Sequence, residues 1–118
     1  MPLSIEKRVE ENVAILELAG TLTLGPSLFE LRNWAREVAA SAKLSGLVLD
    51  VGRITSVDSS GLGELTIVYT AVSRHDCPMR LVGCSSSLKK MLQMTHLDAV
   101  LICVDDFATA KQQLRRPV

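Results

Sequence analysis

Residues 46–65, GLVLDVGRITSVDSSGLGEL, indicate an α/β fold on their own. They open with GLVLDV at residues 46–51, a nearly unbroken apolar run that is typical of a central strand covered on both faces. SVDSSGLGEL follows at residues 56–65, and a helix is predicted from about Ser60 to Arg74. A buried strand that leads through a polar turn into a helix is the repeating unit of α/β proteins.

The flanking segments continue this alternation. An initial hairpin is predicted with its turn near Glu11-Asn12, and a first helix is predicted from Ser27 to about Ser41. Downstream, strands are predicted in MRLVGC (79–84) and AVLICV (99–104), and helices in SSLKKMLQMTHL (86–97) and DDFATAKQQL (105–114), the last opened by an Asp cap. The order β-β-α-β-α-β-α-β-α predicts a mixed sheet with an antiparallel initial hairpin, later parallel strands and about four helices.

Composition and charge favour a single domain over residues 1–118. The chain has 118 residues, of which 47% are hydrophobic, and its thirteen basic and thirteen acidic residues cancel. A zero net charge argues against direct nucleic-acid binding through a basic surface. The N-terminal MPLSIEKRVEEN lacks the order of a signal peptide, and no apolar run approaches the ~20 residues that span a bilayer. We therefore expect a cytoplasmic protein without membrane insertion.

The cysteine and histidine pattern favours neither a metal site nor catalysis. Cys77, Cys84 and Cys103 are odd in number and form no CxxC pair, so we expect no disulfide framework, zinc site or cofactor. The phosphate-binding GxxxxGK[ST] and nucleophile-elbow GxSxG motifs are both absent. His75 lies at the far end of the helix that carries Ser60, about 22 Å away at ~1.5 Å per residue, and His96 lies on the next helix. We expect no enzymatic activity.

The start of the helix after residue 57 is more polar than an N-cap requires. One Asp or Ser satisfies a cap, whereas this turn carries an acid, two hydroxyls and two glycines. Helical spacing places Leu62, Leu65, Val68, Tyr69 and Val72 toward the core, and Gly63, Glu64, Ile67, Thr70, Ala71 and Arg74 on the outer face. An exposed hydroxyl beside glycines and an outward Ile67 predicts a small docking surface.

This region resembles a known family signature. ITSVDSSGLGEL, residues 54–65, is similar to the signature of the STAS domain, and especially to that of bacterial anti-sigma factor antagonists. The resemblance extends to LAGTL (18–22), GLVLDV, MRLVG (79–83) and LKKMLQMTHLDAVL (88–101). It departs at Thr21 and Thr23, where many antagonists carry acidic residues.

The resemblance implies a non-enzymatic partner switch. Unphosphorylated members bind an anti-sigma factor, itself a serine kinase with a histidine-kinase-like ATPase fold, and so release a sigma factor. The kinase phosphorylates the serine after the motif aspartate, here Ser59, and a PP2C-type phosphatase reverses this. The expected partner-binding residues are Asp58, Ser59, Ser60, Gly61, Leu62 and Gly63, to which the residue pattern adds Ile67.

Two other functions remain open at this point. A stand-alone STAS subunit of a membrane transport assembly, such as a phospholipid ABC transporter, would use the same helix face without phosphorylation. A nucleotide- or phosphate-binding module would use the helix N-terminus without catalysis.

The charge of a phosphate would act mainly at an interface. Phosphorylation adds about −1.5 to −2 charge, which the helix dipole stabilises and which Asp58 and Glu64 are expected to oppose. We therefore expect little change in the fold.

Overall fold

The computed structural model describes residues 2–114 and contains one five-stranded sheet in the order β1-β2-β3-β4-β5. The first two strands pair antiparallel, and every later pair is parallel. This confirms the predicted mixed sheet and the predicted order of strands and helices. The elements are β1 (Ser4–Glu10), β2 (Val13–Leu22), α1 (Leu28–Ala40), β3 (Gly46–Val57), α2 (Ser59–Ser73), β4 (Met79–Val82), α3 (Ser86–Met94), β5 (Cys103–Val104) and α4 (Phe107–Leu114).

Local sequence signals account for several boundaries. Glu11 and Asn12 both have positive φ, 51° and 68°, as a two-residue hairpin turn requires, and they lie where the turn was predicted. The predicted Asp cap of the last helix is Asp106, whose Oδ1 accepts a hydrogen bond from the Thr109 amide at 2.7 Å.

The sheet separates two hydrophobic cores. The larger core lies under α1, α2 and α3 and includes Leu16 of β2 and Leu49 of β3. The smaller core lies under α4 and includes Val13 and Ile15 of β2 together with Leu114. Strand β2 is therefore buried on both faces, which explains why its apolar residues do not alternate with polar ones.

Three strands differ in length from the prediction: β4 ends at Val82, two residues early, and β3 and β5 differ more. β3 continues to Val57 rather than ending at residue 51, because its second half keeps pairing with β2 as far as Val57 opposite Leu22. β5 is only two residues long, although residues 99–104 were predicted as a strand. There, the amides of Val100 and Leu101 both donate to the carbonyl of Leu97, so Leu101 enters the larger core from a turn.

Candidate functional site

Asp58 joins the end of β3 to the start of α2 and to the loop before α1. It is the N-cap of α2, with its Oδ1 accepting from the Gly61 amide at 2.8 Å. Its Oδ2 accepts from the Leu24 amide at 3.1 Å, and its own amide donates to the carbonyl of Leu22. The amides of Gly61 and then Leu24 lower the pKa of Asp58, against a smaller opposing effect of desolvation. Both carboxylate oxygens therefore serve the fold.

Gly61 and Leu62, which point into the protein, also have structural roles. Gly61 is buried, and a Cβ at this position would lie 1.8 Å from the carbonyl oxygen of Leu22. Only glycine allows the first turn of α2 to approach the end of β2 this closely. Leu62 is buried in the larger core. The close backbone approach at Gly61 thus takes place within the domain, and both Gly61 and Leu62 are buried.

Ser59, Gly63 and Ile67 form the outer stripe of α2, since they recur every four residues along the helix. Ser59 and Gly63 are exposed, and Ile67 is 42% exposed. No atom lies within 4 Å of a Cβ placed on Gly63. The Ser59 hydroxyl makes no hydrogen bond to any residue between 2 and 114. Ser60, beside the stripe, is half-buried. The structure thus separates the predicted residues into an inward and an outward group.

Glu64 was predicted on the outer face, and this prediction is wrong. Its side chain is only 3% exposed and forms a two-point ion pair with Arg32 of α1, with Nε–Oε2 at 3.0 Å and Nη2–Oε1 at 2.8 Å. The hydrogen bond and the charge of Glu64 raise the pKa of Arg32. Helix α1 packs on this side of α2, so tertiary packing, rather than solvent, sets the environment of Glu64. Because Arg32 neutralises its charge, Glu64 does not oppose a phosphate on Ser59 in the way that was expected.

Two exposed apolar side chains that the sequence analysis did not identify flank the start of α2. Leu24 is 72% exposed, and its amide is held by Asp58. Phe29, in the first turn of α1, is 50% exposed and stacks on Arg32, whose Cζ lies 5.6 Å from the ring centroid. In the sequence, the only indication of this exposure is that Phe29 does not fall on the helix face that carries the buried Leu28 and Leu31. Leu24 is joined to Asp58, and Phe29 contacts Arg32, the partner of Glu64, so both lie beside the first turns of α2. Together with the outer stripe, we call them the docking surface.

The comparisons with known proteins agree with this architecture. The family model for the STAS domain matches residues 4–111. This chain belongs to the STAS domain family. Its fold is also shared by an anti-sigma factor antagonist from Mycobacterium paratuberculosis, at 16% identity and a TM-score of 0.78 over 97% of this chain and 95% of that one.

SpoIIAA, an anti-sigma factor antagonist, shares the fold in two forms. The unphosphorylated form matches at 16% identity and a TM-score of 0.71, covering 98% of this STAS domain and 99% of SpoIIAA. The phosphorylated form, described as a Bacillus cell fate determinant, matches at 15% identity and a TM-score of 0.69, covering 94% and 98% of the two chains. At these identities the likeness shows a common fold.

A small cavity with both apolar and polar lining residues lies beside the end of β3 in this STAS domain. It has a volume of about 60 Å³ and is lined by residues 54–57 of β3 and by the start of α3, including Ser85 and Ser87. Ligand pockets commonly measure about 300–1,000 Å³, so this cavity fits a few waters and no nucleotide. This cavity is therefore too small for the nucleotide that the third function considered above, a nucleotide- or phosphate-binding module, could bind.

The remaining candidate groups lie apart from the docking surface. His75 follows the C-terminal end of α2, whereas Ser59 is its first residue, so the full length of a 15-residue helix separates them. Among residues 2–114, no group of three His, Cys, Asp or Glu side chains could hold a metal ion. In the same part of the chain, no helix is long and apolar enough to cross a membrane.

Proposed function

We propose that this STAS domain is an anti-sigma factor antagonist that binds an anti-sigma factor serine kinase when Ser59 is unmodified and releases it when Ser59 is phosphorylated. The observation that carries this proposal is the unengaged, exposed Ser59 hydroxyl at the N-terminus of α2. The two carboxylates near Ser59 are already engaged within the domain, because Asp58 accepts hydrogen bonds from backbone amides and Glu64 is paired with Arg32. The phosphorylated form of SpoIIAA, which has the same fold, supports the proposal by analogy.

The proposed switch acts on the interface rather than on the fold. A phosphate on Ser59 would point to solvent at the positive end of the α2 dipole, where an anion is stabilised and no internal bond is broken. Against a partner surface formed around Leu24, Phe29 and Ile67, the same dianion would lose its hydration. Burying an unpaired charge costs several kcal/mol, and reversing an equilibrium from 99:1 to 1:99 requires about 5.5 kcal/mol. One phosphate is therefore sufficient to exchange partners.

The docking surface proposed here is neutral, in contrast to that of acidic antagonists. Thr21 and Thr23 stand where many antagonists carry acidic residues, and the Thr23 hydroxyl donates to Thr21 Oγ1 at 3.1 Å. The nearby apolar residues Leu24 and Phe29 supply contact area instead of charge. We propose that the kinase contacts this region through an apolar patch, so that complex formation depends weakly on salt.

Phosphorylation with the candidate kinases tests the proposal. Purified protein is incubated with ATP and each anti-sigma factor serine kinase of the host, and the products are mapped by mass spectrometry. We expect one phosphate on Ser59, its loss in Ser59→Ala, its retention in the matched control Ser60→Ala, and its removal by a PP2C-type phosphatase. Phosphate at another residue, or none with any of these kinases, would contradict the proposal.

The transport alternative predicts a different partner for the same surface. A STAS subunit of a phospholipid ABC transporter would co-purify with the transporter ATPase, and Ser59→Asp would then alter binding no more than any other surface change. Capture experiments with tagged wild-type protein distinguish the two functions, because the bound proteins are identified directly as a kinase or as a transporter ATPase.

A further inference from the structure

The β1 edge of the sheet is open along a full-length strand. β1 has seven residues, keeps one register along its whole length, and has β2 as its only neighbouring strand within residues 2–114. At the opposite edge, β5 is only two residues long. Proteins usually protect an exposed edge with a short strand, a proline, a bulge or charged side chains, because an unpaired strand can pair with another chain. Of these protections, β1 has only the charged side chains.

The hairpin turn decides which backbone groups of β1 face outward. Residues 11 and 12 form a two-residue turn with positive φ, so the residues on either side of it make the first hydrogen-bonded pair of the hairpin. Hydrogen-bonded and non-hydrogen-bonded pairs then alternate along an antiparallel ladder. The amides and carbonyls of Ile5, Lys7 and Val9 consequently point away from β2, toward the open edge.

Glu6 carries a charge that its own chain leaves unbalanced. It is exposed, lies directly opposite Glu17 of β2, and forms no ion pair with any residue between 2 and 114. Like charges directly opposite each other destabilise a sheet. Arg8, on the same face of β1, donates from its Nε to Glu17 Oε1 at 2.7 Å and lies over the ring of Phe107, with its Cζ 5.2 Å from the centroid. Its guanidinium is therefore held in place beside the open edge.

We propose that two copies of this domain associate through β1, with the two strands antiparallel and related by a two-fold axis at Lys7. The outward backbone groups of Ile5 then meet those of Val9 of the partner subunit, and those of Lys7 meet their own equivalents. All three residues are of the kind that makes hydrogen-bonded pairs, so the ladder continues from one copy into the other.

Charge complementarity favours this register and a second copy as the occupant. With Lys7 on the axis, Glu6 lies directly opposite Arg8 of the partner subunit, in a non-hydrogen-bonded pair, where side chains approach most closely. A shift of the register by one step in either direction instead places Glu6 opposite its equivalent or Arg8 opposite its equivalent. The proposed register also covers Val9, which is 49% exposed, with Ile5 of the partner subunit.

Lys7 makes the one unfavourable contact in this register. Because side chains alternate along a strand, that of Lys7 lies on the opposite face from Arg8 and meets Lys7 of the partner subunit at the axis. Like charges at this position weaken a strand pair, so we expect a weak dimer that becomes tighter when Lys7 is neutral. No residue of the docking surface belongs to β1, and this proposal therefore does not depend on the function of Ser59.

Sedimentation equilibrium over a range of protein concentrations tests the proposal. The mass of the wild type should rise with concentration from 12.8 kDa toward twice this value. Glu6→Lys should weaken association at least about tenfold, because it places two positive charges opposite each other on both sides of the axis. The matched control Asp98→Lys makes the same change of charge at an exposed position between α3 and β5, and should leave association unchanged. Lys7→Ala should tighten it.

Amide exchange measured by NMR at a low and a high protein concentration identifies the surface. The amides of Ile5, Lys7 and Val9 should become protected only at the high concentration. Those of Glu6 and Arg8, which already donate to β2, should be protected at both.

Four results would overturn the proposal. A mass that stays at 12.8 kDa up to about 1 mM would show that a second copy does not occupy the edge. Equal weakening by Glu6→Lys and Asp98→Lys, or protection of amides outside β1 alone, would show that the copies meet elsewhere. Weaker association of Lys7→Ala would show that Lys7 does not lie opposite itself. Protection of the Lys7 amide at every concentration would show that the same chain covers the edge.

Discussion

The two sides of the first turns of α2 differ completely in how the fold uses them. On the inward side, Gly61 meets the carbonyl of Leu22 and Glu64 pairs with Arg32. On the outward side, Ser59 and Gly63 contact nothing that the fold requires. Two glycines only two residues apart thus have opposite roles: one makes space for the protein's own backbone, and the other leaves a surface open.

The residues of the motif therefore fall into a group that builds the turn and a group that is available for binding. Asp58, Gly61 and Leu62 build and orient the turn, so they are needed for any function that the turn has. Ser59, Gly63 and Ile67 are not required for folding, and they are therefore the residues at which a partner can be gained or lost without a loss of stability. A change on the inward side should lower stability, whereas a change on the outward side should alter binding without lowering stability.

The largest effect is expected for Gly61→Ala. The added methyl would lie 1.8 Å from the Leu22 carbonyl oxygen and 2.6 Å from its carbon, so the backbone of β2 or α2 must move. We expect the free energy of unfolding to fall by about 3 kcal/mol or more, at the upper end for overpacking. Urea denaturation followed by circular dichroism measures it. A loss below about 1 kcal/mol would mean that the inward side is less tightly packed than described.

Arg32→Ala should have the next largest effect. Removing the guanidinium leaves Glu64 buried without its charge partner, which is strongly unfavourable in a protein interior. We expect the melting temperature to fall by several degrees, and Glu64→Gln to restore part of the loss in the Arg32→Ala background. Arg36→Ala, an exposed arginine on the same helix, is the matched control and should leave the melting temperature nearly unchanged. Equal effects of Arg32→Ala and Arg36→Ala would contradict the role of the pair.

Asp58 should make a pH-dependent contribution to stability. Its pKa is lowered in the folded protein by the amides of Gly61 and Leu24, so its ionised form favours folding above the unfolded-state pKa of about 3.9. That contribution is lost as the pH falls from about 4 through the lower folded-state pKa. The difference in melting temperature between wild type and Asp58→Asn should therefore be constant near neutrality and shrink in acid. A difference that is independent of pH would contradict a role for the Asp58 charge.

Gly63→Ala should have the smallest effect, and of opposite sign to Gly61→Ala. A Cβ at this position meets no atom within 4 Å, and alanine is favoured over glycine inside a helix. We expect a gain of about 0.5–1 kcal/mol in the free energy of unfolding. The same urea titration measures both glycine variants. Destabilisation by Gly63→Ala would remove the contrast between the two sides of the turn.

The sequence predicted the elements more reliably than their environment. Hydrophobic periodicity gave the correct order of strands and helices, and Glu11-Asn12 marked the hairpin turn. The lengths of β3 and β5 could not be predicted from periodicity. Pairing with β2 extends β3, and a chain reversal at Leu97 shortens β5. Periodicity within a strand or a helix contains neither the pairing of distant strands nor the hydrogen bonds of a local turn.

The environment of the site depended on contacts between elements that are distant in the sequence. The position of Glu64 was wrongly predicted because Arg32, 32 residues earlier, lies against that face of α2. The bond from Leu24 to Asp58 joins residues 34 positions apart, and the exposure of Leu24 follows from the loop that this bond holds. Sequence patterns therefore identified Ser59 and Ile67 as candidates, but only the packing of α1 showed that Glu64 beside them is buried.

The central claim is that the outer stripe of α2 acts in binding and is not needed for folding. Its most direct test is the affinity of the phosphorylating kinase for Ser59→Asp relative to the isosteric neutral variant Ser59→Asn. We expect Ser59→Asp to bind at least about tenfold more weakly than Ser59→Asn, a difference of about 1.4 kcal/mol, while both variants melt at the wild-type temperature. Equal affinities of the two variants, or a lower melting temperature for Ser59→Asp alone, would contradict the account.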